Sequence, residues 1–196
     1  MKSKAITKKI IMGKFKGKTL KLPSMETTRS SKSIVLESFF NTVQFDIIDA
    51  TFVEVFSGSG SIGLEALSRG ASSILFMERD RDALKVLKEN ISLTDPSACR
   101  VFAGDSFSNI TEVVKTLKKK NEDAYFYIDP PFSIREGMED IYEKMMKLIA
   151  SLPVEVVKLI IIEHMTGLEI PSSIGPFEVT KSKKFGNTSL TYLKLI

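Results

Sequence analysis

Short apolar runs recur along the chain, and helical patterns fill the gaps between them. Residues 52–56, 73–77, 100–103, 124–128 and 158–163 are runs of Val, Ile, Leu, Phe and Tyr with few interruptions, which is how strands buried on both faces read. Between them, apolar residues return at helical spacing over 62–68, 80–93, 107–119 and 138–150. This alternation predicts an α/β fold with a mostly parallel sheet and right-handed crossovers. The tail has a different period. Residues 177–183 and 189–194 alternate apolar and polar positions around Gly186-Asn187, the signature of a terminal antiparallel hairpin. Upstream, residues 31–43 carry helical spacing with Ile34, Val35, Phe39 and Phe40 on one side. Before that, Ile10, Ile11, Phe15 and Leu20 interleave with lysines, and Gly13 and Gly17 mark turns, so a small β-hairpin is expected. No repeat, low-complexity segment or long linker interrupts the pattern.

Composition narrows the picture. At 196 residues and 43% hydrophobic, the chain can bury one sizeable core. The single cysteine, Cys99, excludes an internal disulfide and a cysteine metal cluster. It opens an apolar run and reads as a small core residue. A cytoplasmic location fits. No apolar stretch reaches the length of a membrane span. The Lys-rich start lacks the apolar segment and cleavage site of a signal peptide. Charge is unevenly placed. Eight lysines (Lys2, Lys4, Lys8, Lys9, Lys14, Lys16, Lys18 and Lys21) precede the first acid, Glu26, in a chain of net charge +4, which leaves −4 on residues 26–196. Residues 1–45 are therefore expected to form a basic extension that meets a polyanion, and residues 46–196 the main domain. Its contacts would be mainly to phosphate, salt-dependent and indifferent to sequence. A solvated, solubilising tail is the plainer alternative.

Two motifs carry chemistry. The run Phe52-Val53-Glu54-Val55-Phe56 leads directly into Ser57-Gly58-Ser59-Gly60-Ser61-Ile62-Gly63, and a helical pattern follows. A G-x-G-x-x-G between a strand and a helix is the context that a nucleotide-binding turn requires. Gly58 and Gly60 permit a tight turn and close approach of backbone to ligand, and Gly63 permits close packing of helix on strand. The next strand ends at Glu78, 20 residues after Gly58, where a carboxylate takes the ribose hydroxyls of an adenosine-containing cofactor. A nicotinamide dinucleotide and S-adenosylmethionine both fit these features.

The second motif separates them. Asp129-Pro130-Pro131-Phe132 follows the strand at 124–128. Two prolines lock the backbone and remove two N–H donors, leaving a rigid row of acceptors beside an aromatic face. Hydride transfer has no use for such a row. Methyl transfer to a nucleobase NH2 does, because that nitrogen's lone pair is delocalised into the ring. Hydrogen bonds to the Asp129 carboxylate and the Pro130 carbonyl favour a pyramidal nitrogen and aim it. Phe132 would stack on the base. Asp129 need not be a strong base, since the amine turns acidic only once methylated. A proline pair that merely ends a strand is the alternative.

These residues together resemble the bacterial 16S rRNA guanine-N2 methyltransferases of the guanine-966 type, from about Ile10 to the C-terminus. The segment from Val55 to Gly70 matches that family's first motif, Glu78 its second-strand acid and Asp129 to Phe132 its Asp-Pro-Pro-aromatic set. Residues 10–18 resemble its opening hairpin. Arg29-Ser30-Ser31 with Glu37-Ser38-Phe39-Phe40-Asn41 resembles its following segment, with Ser30 and Ser31 in place of Pro-Thr and Leu36 in place of an Arg. The resemblance implies a Rossmann-like class I methyltransferase fold, with a seven-stranded sheet ending in an antiparallel hairpin. It implies S-adenosylmethionine held by Glu54, Phe56, Gly58, Gly60, Gly63, Glu78, Arg79, Asp105 and Ser106, with Phe107 near the adenine. Asp129, Pro130, Pro131 and Phe132 would orient a guanine amine of 16S rRNA, free or in an assembling small subunit. Asp105 also fits a helix N-cap, and Glu54 a surface-facing edge. The lone histidine, His164, reads as a structural or rim residue, and no cluster has metal-ligand spacing. Nothing demands more than a monomer. A DNA adenine-N6 methyltransferase, an RNA-binding protein with a vestigial pocket and a nicotinamide oxidoreductase are the rivals.

Overall fold

The computed structural model describes residues 6–23, 33–131 and 140–196. Arg29, Ser30, Ser31, Phe132 and Met138 lie outside the described residues, as do Lys2 and Lys4. The described chain opens with β1 (Thr7–Lys9) and β2 (Thr19–Lys21), an antiparallel hairpin with Lys8 opposite Leu20. Then come α1 (Ser33–Val43), β3 (Thr51–Val55), α2 (Ser61–Ser68), β4 (Ser73–Glu78), α3 (Arg81–Ser92), β5 (Cys99–Ala103) and α4 (Ser106–Lys120). The chain continues through β6 (Ala124–Ile128), α5 (Ile141–Ala150), β7 (Val157–Met165), β8 (Ser173–Ile174), β9 (Phe177–Phe185) and β10 (Thr188–Leu195).

The main sheet has the order β5-β4-β3-β6-β7-β10-β9-β8. Strands β3 to β7 run parallel, and β10 pairs antiparallel with both β7 and β9. The expected seven strands are present with one addition. The two-residue β8 extends the β9 edge and is too short to leave a pattern. Every residue of β3 and of β6 is buried. Their side chains alternate between two apolar layers, so the runs read as continuous. Phe52, Tyr125, Tyr127 and Ile161 face α1, α2, α3 and the hairpin. Val53, Val55, Phe126 and Ile162 face α4 and α5. Chain order reverses between β3 and β6, and the crevice outside their carboxyl ends is where such sheets bind ligands.

Two expectations are corrected by packing. The buried stripe of α1 is Val35, Leu36, Phe39, Phe40 and Val43, while Ile34 is exposed. Phe39 stacks edge-on against Tyr127 at 5.1 Å, and that contact rotates the helix so that Leu36 rather than Ile34 meets the core. The hairpin does not present all its lysines outward. Ile10, Phe15 and Leu20 are in the core, Lys8 is turned in towards the sheet, and Lys18 and Lys21 are spent on α3. Lys9, Lys14 and Lys16 are exposed. Among the described residues no helix is long and apolar enough to cross a membrane.

Candidate active site

Register alone assembles the site. Val55 of β3 lies beside Met77 of β4 and Ile128 of β6; Glu78 lies beside Ala103 of β5, and Ile128 beside Ile162 of β7. One step further along each strand therefore brings Phe56, Glu78, Gly104-Asp105, Asp129 and Glu163 into one row along the carboxyl edge.

The turn after β3 is built on unusual backbone. Phe56, Gly58 and Gly60 have φ of 66°, 53° and 74°. The left-handed region costs a non-glycine residue roughly 1–2 kcal/mol, so Phe56 is held there by its surroundings. Its ring meets Phe107 edge-on at 5.5 Å, forming an apolar wall beside the turn. Ser57 closes the base of the turn. Its N–H donates to the Met77 carbonyl at 2.9 Å, and its hydroxyl accepts from the Met77 N–H at 2.9 Å.

Two buried carboxyl groups hold the loop from beneath. Glu78 accepts from the N–H groups of Gly58 at 2.6 Å, Arg79 at 2.8 Å and Asp80 at 2.7 Å. A carboxylate has about four acceptor directions, so one remains, on Oε2. The Arg79 side chain is exposed. Glu54 is 3% exposed because β3 is a central strand, which overturns the edge alternative. It accepts from the Gly63 N–H at 2.8 Å. Burial drives its carboxyl up to about 8, against the downward pull of the Gly63 and Ile62 amides and of Lys8.

The sign of that shift makes a prediction. A carboxyl raised on folding binds its proton more tightly in the folded state, so it adds stability in full below about 4.5 and loses it as pH rises through about 8. In chemical denaturation followed from pH 5 to 9, Glu54→Gln is expected to gain steadily on the parent as pH rises. Parallel profiles for the two proteins would exclude a buried, proton-holding Glu54.

Asp105 caps α4, its Oδ2 accepting from the Ser108 N–H and hydroxyl, both at 3.0 Å. Ser106 is buried behind it. Asp129 is half-buried, Pro130 buried and Pro131 half-buried at the end of β6. Phe132 lies outside the described residues.

Several residues here left no functional mark in the sequence. The Tyr127 hydroxyl donates to Glu163 Oε2 at 2.7 Å, and burial together with the charges of Glu163 and Asp129 keeps that phenol protonated. Lys8 of the hairpin reaches the same acidic region. Burial lowers its ammonium, while Glu163, Glu54, Glu65 and Asp129 oppose the shift. A lysine in a basic tail gives no sign that it points inward. His164 is buried, its Nε2 2.9 Å from Thr191 Oγ1 and its Nδ1 2.9 Å from the Met165 carbonyl. Burial lowers its pKa, and its ring is held by bonds within β7 and to β10.

A family model described as Conserved hypothetical protein 95 matches residues 8–194. The provisionally named rRNA methyltransferase YlbH of Bacillus subtilis is 27% identical over 95% of this chain and 98% of its own length. Ribosomal RNA small subunit methyltransferase D of Escherichia coli is 32% identical over a stretch covering 66% of this chain and 62% of that protein. The solved Escherichia coli protein yhhF, provisionally described as a methyltransferase, superposes with a TM-score of 0.76 at 25% identity, covering 97% of this chain and 98% of that one.

Proposed function

The chain belongs to the Conserved hypothetical protein 95 family, and from that premise we propose that it transfers a methyl group from S-adenosylmethionine to the N2 amine of a guanine in small-subunit rRNA. The observation that carries the reading is the placement of the glycine turn and the Asp129-Pro130-Pro131 acceptor row on neighbouring strands at the switch point. The names of the Bacillus subtilis and Escherichia coli relatives, both rRNA methyltransferases, support the substrate class.

The residues present suit that cofactor. The backbone at Gly58 and Gly60 has the left-handed course that brings it close to a ligand. Glu78 has one acceptor direction left for a ribose hydroxyl, and a second hydroxyl would compete with the Gly58 N–H. The Phe56–Phe107 wall suits the adenine, with Ser106 and Asp105 beside it, and Arg79 stands next to Glu78. Glu54 lies under the turn, where a cation would favour its ionised form. The cofactor supplies an electrophilic methyl on a sulfonium.

The chain's own part is positioning. The Asp129 carboxylate and the Pro130 carbonyl accept from the two amine hydrogens, and Pro131 fixes their spacing. Phe132, outside the described residues, is the aromatic side chain of the motif that would stack on the base. The base reaches this row only when unpaired or flipped out of its stack. Asp129 stabilises the positive charge that grows on nitrogen, and water takes the proton once the methyl is in place.

The test is methyl transfer from labelled S-adenosylmethionine to naked rRNA, unmethylated small subunits and DNA, offered separately. Label recovered as N2-methylguanine from rRNA in either form supports the reading. Methyladenine in DNA would replace it with a DNA adenine methyltransferase. Cofactor binding without transfer to any substrate would leave an RNA-binding protein with a vestigial pocket.

The exposed hairpin lysines make a second prediction. Removing a phosphate contact lowers the slope of log affinity against log salt by about 0.7–0.9. Lys9→Ala, Lys14→Ala and Lys16→Ala are each expected to do so in filter binding across a salt series, with base preference unchanged. An unaltered slope in all three would remove the exposed hairpin lysines from the RNA contact.

A further inference from the structure

The hairpin is joined to the glycine turn by one side chain. Asn90 of α3 is wholly buried. Its Nδ2 donates to the Lys21 carbonyl at 2.9 Å and to the Ser59 carbonyl at 2.9 Å, and its Oδ1 accepts from the Lys21 N–H at 2.9 Å. The amide orientation follows from these partners, since the reverse would turn its oxygen onto two carbonyl oxygens. Towards the hairpin, Asn90 behaves as a strand would, pairing with both backbone groups of Lys21 on the side away from β1. Towards the turn, it holds the residue between Gly58 and Gly60.

The rest of the neighbourhood braces the same loop. Leu87, one helical turn before Asn90, fills the space beside Gly60, where a Cβ would lie 2.3 Å from Leu87 Cδ1. The other end of the hairpin is docked on α2. The N–H groups of Ile11 and Met12 donate to Glu65 at 2.7 and 3.1 Å, and that of Phe15 donates to the Ser68 hydroxyl at 2.9 Å. The Lys14 N–H donates to the Ser68 carbonyl at 2.7 Å. Gly13 lies so close that a Cβ would fall 1.7 Å from that carbonyl oxygen. The hairpin thus spans α2 and α3, the two helices between which the turn is held.

We propose that Asn90 is a positioning residue of the cofactor site and that the hairpin, besides meeting RNA, is a structural part of that site. Docked against α2 and α3, the hairpin fixes the Asn90 amide, which fixes the Ser59 carbonyl and with it the backbone course from Gly58 to Gly60. The inference rests on the reading of this turn as the S-adenosylmethionine site. It makes cofactor affinity depend on the hairpin even when no RNA is present.

Calorimetric titration of the RNA-free full chain with S-adenosylhomocysteine tests it. Asn90→Asp keeps the size and the bond from the Lys21 N–H, but loses both donated bonds and sets a carboxylate against two carbonyls. It is expected to weaken binding by about 10-fold or more, because a buried polar group left unpaired costs more than a bond is worth. Lys21→Pro removes only the N–H that Asn90 accepts and the exposed ion pair to Glu89, at a strand position whose N–H faces away from β1. It is expected to weaken binding by about 3- to 10-fold. Lys21→Met, which removes the ion pair alone, should bind as the parent does. In turnover assays KM for the cofactor should rise in Asn90→Asp and Lys21→Pro, with kcat retained at saturation; a loss of general packing would lower both rate and melting temperature instead. Folded Asn90→Asp with parental affinity would overturn the role of Asn90. Parental affinity in Lys21→Pro would overturn the role of the hairpin, and that variant decides the matter if Asn90→Asp does not fold. Failure of the parent itself to bind S-adenosylhomocysteine would sink the cofactor reading, and this inference with it.

Discussion

Asp129→Ala is expected to lower methyl transfer by about 10²- to 10³-fold, the usual loss when one preorganised electrostatic partner of a reacting group is removed. Binding of S-adenosylhomocysteine should stay close to that of the parent. The two effects part because Asp129 directly follows β6, across the switch point from the glycine turn and from Glu78. Without the carboxylate, the amine keeps at most the Pro130 carbonyl as acceptor. Its nitrogen stays planar, conjugated and poorly aimed. Asp129→Asn tells aim from charge: the amide retains one acceptor oxygen and should recover part of the rate. Single-turnover transfer at saturating cofactor is the appropriate measurement. A rate in Asp129→Ala within a few-fold of the parent would remove Asp129 from the acceptor site and leave the Asp-Pro-Pro motif as a strand terminator.

Gly63→Ala is expected to produce the largest combined loss of stability and cofactor affinity. A Cβ at this position would sit 2.5 Å from Phe76 Cε1, 2.7 Å from Ile74 Cγ2 and 2.9 Å from Glu54 Oε2. Phe76 and Ile74 are both fully buried in β4 and have nowhere to go. Overpacking of this kind costs about 1–3 kcal/mol, and in a chain of this length each kcal/mol lowers the melting temperature by about 2–4 °C. The helix can accept the methyl only by moving off the sheet, which stretches the bond from the Gly63 N–H to Glu54 and moves the start of α2 away from the turn. Melting curves with and without S-adenosylhomocysteine read both effects. The variant should melt lower and also gain less from the ligand. An unchanged melting temperature would mean that the helix has room the packing does not show.

Much of this architecture was legible because burial on both faces leaves an unbroken apolar run. Strands β3 and β6 announce themselves in that way, as does the start of α4, where Asp105 meets the first turn. The parts that escaped are those whose meaning depends on a distant partner. Lys8 belongs to a run of lysines, and only the packing of Ile10, Phe15 and Leu20 turns it inward. Glu65, Ser68 and Asn90 look like the solvated face of their helices, yet they receive a hairpin from more than 50 residues upstream. Glu163 follows an apolar strand as any boundary residue might, and gains its place beside Asp129 from the register of β6 and β7. Strand β8 has two residues and no period to read. Of the two readings the sequence offered for Asp105, the structure shows the capping bonds from Ser108.

The way the hairpin is anchored has a consequence for synthesis. It leaves the ribosome before every group that pins it: Glu65 follows Ile11 by 54 residues, Ser68 follows Phe15 by 53, and Asn90 follows Lys21 by 69. At about 5–20 residues per second, the last of these arrives roughly 3–14 s later. For that interval Phe15 and Leu20 have no core to enter, and the lysines around them are a loose cationic segment emerging next to ribosomal RNA. The row at the sheet edge is complete later still, since β7 must pair before Glu163 stands beside Asp129. The nascent chain therefore carries its cluster of positive charge well before it carries the row at the sheet edge.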